Sequence, residues 1–113
     1  MHGFSKKNVP EFIIGKELAQ VCLGENEVIL KLSNNCSISI ESIEDFAKDN
    51  SQFLLGISTF QQNIFGSKIE FIKILDESCA EIHFCSGFRI FLKNDSERYE
   101  SIVFRQGVDT IVI

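Results

Sequence analysis

The side chains best suited to chemistry lie in the run Cys79-x-Glu81-x-His83-x-Cys85. Alternate residues of a strand point the same way, so these four share one face if the run is extended. Cysteine, histidine and glutamate are zinc ligands, and a thiol beside an imidazole is the start of a nucleophile–base pair. The spacing tells against both uses. Alternate residues sit about 6.5–7 Å apart along a strand, so only His83 and Cys85 could share one ion, and further ligands would have to come from elsewhere. The strand pairing argued below puts the cation Arg89 opposite His83, and no third residue that would orient the imidazole is evident. The matching positions in the first half of the chain are Glu27, Ile29, Lys31 and Ser33, so the fold does not require the set. A solvated strand face is therefore expected, with no catalytic residue, no cofactor and no bound metal.

Other polar signals are weaker. Glu41, Glu44, Asp45 and Asp49 form an acidic stretch, expected to be a solvated loop. Cys22 and Cys36 fall inside strand patterns and read as small core residues. Ile29 and Phe91 fall on outer strand faces. Phe91, beside Glu81, joins Ile111 and Ile113 of the apolar run Thr110–Ile113 as the candidate interaction surface. That run lacks polar alternation, which predicts burial on both faces, under a helix or against a second subunit.

The elements that would position these residues follow from a self-similarity. Gly15, Leu18, Val21 and Leu23 match Gly66, Ile69, Ile72 and Ile74. After a shift of one, Val28, Leu30, Leu32, Cys36, Ile38 and Ile40 match Ala80, Ile82, Phe84, Phe88, Ile90 and Leu92. Both copies alternate apolar and polar residues, the period of half-buried strands. Keeping one apolar face fixes the turns. Leu32 must face Cys36 across Ser33-Asn34-Asn35, and Phe84 must face Phe88 across Cys85-Ser86-Gly87, with Asn35 and Gly87 in the left-handed region. Leu23 facing Val28 needs a loop of four residues and Ile74 facing Ala80 one of five, which explains the shift. Ser51, Phe53, Ile57, Phe60, Ile64 and Gly66 predict a helix over about 52–64. Residues 101–113 read as a closing hairpin turning near Gln106-Gly107.

The expected architecture is mainly β, α+β at the margin. Residues 1–113 form one domain, with a three-stranded antiparallel meander at about 15–41, a helix, a second meander at about 66–93 and the hairpin. Neither meander can bury a face alone, so the two pack as a small sandwich or partly open barrel. A chain of 113 residues with 44% hydrophobic and 24% charged residues can bury such a core without staples. The net charge of −5 disfavours a nucleic-acid surface. No apolar run suits a membrane span or a leader, so a cytoplasmic chain with four free thiols is expected.

The second unit, followed by Asp95-Ser96-Glu97-Arg98-Tyr99-Glu100-Ser101 and the apolar Ile102–Phe104, resembles a family of small uncharacterised bacterial β-rich proteins. These occur among mobile-element cargo and beside toxin systems, so the resemblance implies an immunity-type or accessory role and supplies no catalytic residues. The functional expectation is a non-enzymatic protein-interaction module, a homodimer or the binder of a protein partner, through an exposed sheet surface. The alternative is a small-molecule-binding or catalytic domain with a pocket between the two meanders.

Overall fold

The computed structural model describes residues 10–41, 43–59, 64–93 and 102–112. Alternating sequence gives strands β1 (Leu18–Leu23), β2 (Val28–Leu32) and β3 (Cys36–Ile40), then helices α1 (Ile43–Asp49) and α2 (Ser51–Ser58). Strands β4 (Ile69–Ile74), β5 (Cys79–Phe84), β6 (Arg89–Lys93), β7 (Ile102–Gln106) and β8 (Asp109–Val112) follow. They form two antiparallel sheets, one in the order β1-β2-β3-β7-β8 and the other β4-β5-β6. The expected mainly β class with two meanders and a closing hairpin is found. The sheets are open and pack as a sandwich, so the barrel alternative does not apply.

The turns adopt the expected registers. Leu32 pairs with Cys36, Leu23 with Val28, Ile74 with Ala80 and Ile82 with Ile90. Gly87 has φ 97° and Asn35 φ 63°, the left-handed residues that close the two three-residue turns; Asn34 is left-handed too, at 58°. Inward residues of both sheets, among them Leu30, Ile38, Ile82, Ile90 and Phe104, belong to one buried cluster. Phe88 packs against its edge, whereas Phe60 lies outside the described residues.

The sheets are tied together where each meander begins. The Gly15 N–H donates to the Ile69 carbonyl and the Gly66 N–H to that of Leu18, both at 2.8 Å. The Leu18 N–H donates to Ser67 and the Ile69 N–H to Lys16, both at 2.9 Å. A bulge follows in each first strand, between Leu18 and Gln20 and between Ile69 and Phe71. Gly15 and Gly66 have φ 85° and 86°. A side chain is disfavoured there, which explains why both crossings open on glycine.

Several expectations are corrected. The acidic stretch is not a loop: Ile43–Asp49 is α1, with Phe46 and Asn50 buried one turn apart. The helix expected over 52–64 is α2, ending at Ser58. Ile64 is buried in a turn, and 60–63 lie outside the described residues. Cys22 is half-buried rather than core, because the bulge at Ala19 sets it opposite Ile29 on the outer face, and Leu23, opposite Val28 at the end of the edge strand β1, is exposed. Strand β8 is not buried on both faces: Thr110 and Val112 are exposed and only Ile111 packs against the core.

Candidate functional site

On the outer face of β5, Glu81 and His83 form a pair, with His83 Nε2 3.0 Å from Glu81 Oε1. The imidazole stacks on Phe71 at 4.4 Å between centroids and 17° between planes, because β4 sets Phe71 opposite His83. Arg89, opposite His83 on β6, brings its guanidinium within 3.9 Å of the other Glu81 oxygen. Glu81 is thus the orienting residue that spacing alone did not reveal, since a partner two places along the same strand looks too far away until both side chains bend together. The side chains are only 24% and 17% exposed, so the face is less solvated than expected.

The two cysteines of the run lie on either side of this pair. Cys85 lies in the β5–β6 turn, exposed, beside Phe65, Lys68 and the hydrogen-bonded hydroxyls of Ser67 and Ser86, 2.7 Å apart. His83 is engaged by Glu81 and Phe71 instead. At the other end of β5, burial pushes the Cys79 thiol above the ordinary range, and the Asp76 carboxylate adds to the shift. Both effects disfavour the thiolate, the reactive form. Among the described residues no three His, Cys, Asp or Glu side chains are placed to hold a metal ion.

Phe91 is half-buried and lines a groove of about 290 Å³ with Asn50, Gln52, Phe53, Glu81 and Arg89. Asn50, 5% exposed, closes that groove against the strand. Its Oδ1 accepts the Phe91 N–H at 2.6 Å, and its Nδ2 donates to the Phe91 carbonyl at 2.8 Å and to the Phe46 carbonyl at 3.1 Å. Sequence reasoning missed Asn50. The available signal was the spacing Phe46, Asn50, Phe53, which continues one helical face across the α1–α2 junction.

Of the two other surface residues expected from sequence, Ile111 is on the last strand of the larger sheet. Ile111 sits opposite Phe104 and packs against the core from β8, in the sheet that does not contain β6; Ile113 lies outside the described residues. Phe91 and Ile111 therefore belong to different sheets. Bonded and non-bonded pairs alternate across an antiparallel ladder. With Ser39 and Ser37 pairing Val103 and Arg105 across β3–β7, the N–H and C=O groups of Thr110 and Val112 face away from β7. Among the described residues no side chain or backbone group meets them.

No family model, curated protein or solved structure matches the chain. No helix among the described residues is long and apolar enough to cross a membrane.

Proposed function

We propose that the chain is a non-enzymatic protein-interaction module that pairs through the outer edge of β8, and that the strand it meets is β8 of a second copy. The edge, unpaired among the described residues, carries this reading: Thr110 and Val112 are exposed, and β8 has neither the proline nor the lysine that usually blunts an edge. A twofold axis at Ile111 would set Thr110 against Val112 of the second copy, each pair exchanging both of its N–H···O bonds. No like charges meet in that register, and the half-buried Ile111 would complete its burial against its own counterpart. The filled core shared by the two sheets supports an interaction role over a pocket between the meanders. Four unbridged cysteines support a reducing, cytoplasmic setting. An immunity-type or accessory role on a mobile element, and descent of the two meanders from one duplicated unit, extend the same proposal.

Analytical ultracentrifugation at micromolar concentration tests it. The expected result is a species of twice the 12.8 kDa chain mass. Thr110→Pro, which removes an outward N–H, and Val112→Lys, at a side chain already 47% exposed, should each give a folded monomer. A wild-type monomer throughout that range would overturn the homodimer.

A further inference from the structure

We propose that Asn50 is a side-chain substitute for a strand, a lock that keeps β6 closed to strand pairing. In the first meander β3 is covered by β7, and Ser39 pairs with Val103. The corresponding position of the second meander is Phe91 on β6, the outer strand of its sheet. There the Asn50 carboxamide offers an acceptor to the Phe91 N–H and a donor to its carbonyl, the same two bonds that a facing residue of a neighbouring strand would make. The third bond, from Nδ2 to the Phe46 carbonyl, fixes the carboxamide to the end of α1 and sets which way its oxygen and nitrogen point. The helix pair thereby terminates the smaller sheet at three strands, while the larger sheet continues to five.

The flanking residues reinforce the lock. The N–H and C=O groups of Arg89 and Lys93 face outward like those of Phe91, since Ile82–Ile90 and Phe84–Phe88 are the bonded pairs across β5–β6. If two β6 edges met about a twofold axis at Phe91, Arg89 would face Lys93 of the other copy, and like charges directly opposite are destabilising. β6 is thus blocked at its centre by Asn50 and on either side by cations, whereas β8 has neither device.

The test removes each block separately, in a Thr110→Pro background so that β8 does not contribute. Arg89→Glu alone places a carboxylate opposite Lys93 in the twofold register but leaves Asn50 in place, and should remain monomeric by sedimentation. Arg89→Glu with Asn50→Ala should associate over the micromolar range. A folded double variant that stays monomeric, or a single Arg89→Glu variant that associates equally, would overturn the lock. Amide exchange in the wild-type chain decides the matter even if the double variant does not fold. The Phe91 amide should exchange on the order of tenfold or more slowly than those of Arg89 and Lys93. Equal rates would show that Asn50 does not cover the edge.

Discussion

Individual residues carry two of the strongest constraints in this chain. Asn35 and Gly87 close corresponding turns in the left-handed region, and a Cβ on Gly87 would meet nothing within 4 Å. Any cost at Gly87 is therefore backbone strain rather than a clash, about 1–2 kcal/mol for Gly87→Ala, whereas Asn35→Gly should be close to neutral. Urea unfolding of the two variants measures the difference. The thiols separate in the same physical way. Cys85 is exposed in its turn, while Cys79 is half-buried with its titration pushed upward by burial and by Asp76. Iodoacetamide at neutral pH should label Cys85 before Cys79, as read by peptide mass spectrometry. The raised pKa also has a sign. The protonated Cys79 thiol is favoured by folding, so its contribution is intact at neutral pH and is lost as pH rises past the ordinary thiol value of about 9 and through the higher folded value. Wild-type stability should therefore fall relative to Cys79→Ala in that alkaline range, and parallel curves for the two would refute the assignment.

At the scale of elements, the strands were legible because one face of each is buried against the core, so period two is written directly in Val28-x-Leu30-x-Leu32 and Ala80-x-Ile82-x-Phe84. The turn residues then left one register that kept the faces intact. Helix α1 was hidden for a related reason. Among its residues of described burial the buried one is Phe46, the next buried position is Asn50 at the junction with α2, and an asparagine looks like a surface residue until the strand edge it serves is known. The acidic residues around it suit the start of a helix as well as a loop, since carboxylates favour the N-terminal end of the helix dipole. The candidate site was legible to the same degree: facing positions such as His83 and Arg89 followed from register, but the Glu81–His83 pair depends on rotamers that spacing does not encode. Phe46 packs edge-on against Phe53 at 6.2 Å and is 3% exposed, so it joins α1 to α2. Phe46→Ala should cost about 3–5 kcal/mol in urea unfolding and release the Phe91 amide to exchange, because the helix end that holds Asn50 loses its anchor. A loss below 1 kcal/mol, within the range of ordinary surface changes, would show that α1 is not held by this contact.

For the whole molecule, the decisive feature is that two sheets of different size share one core. Leu18, Leu30 and Ile38 from the larger sheet and Ile69, Ile82 and Ile90 from the smaller are all essentially inaccessible and belong to a single cluster. The reciprocal bonds at Gly15–Leu18 and Gly66–Ile69 join the first strands of both units, so neither meander can separate without exposing the inner face of the other. A three-stranded unit with one bare apolar face has little stability of its own. The two units should therefore unfold together. Leu30→Ala and Ile82→Ala remove comparable buried volume from opposite sheets, and each should destabilise the chain by about 2–5 kcal/mol. In each variant the transition followed by far-ultraviolet circular dichroism should be single, with a calorimetric enthalpy equal to the van't Hoff enthalpy. A second transition in either variant, with one meander melting while the other persists, would show that the sheets are independent units that only touch. Single transitions in both would place the cooperativity in the shared core, where Leu30 and Ile82 are buried to the same extent.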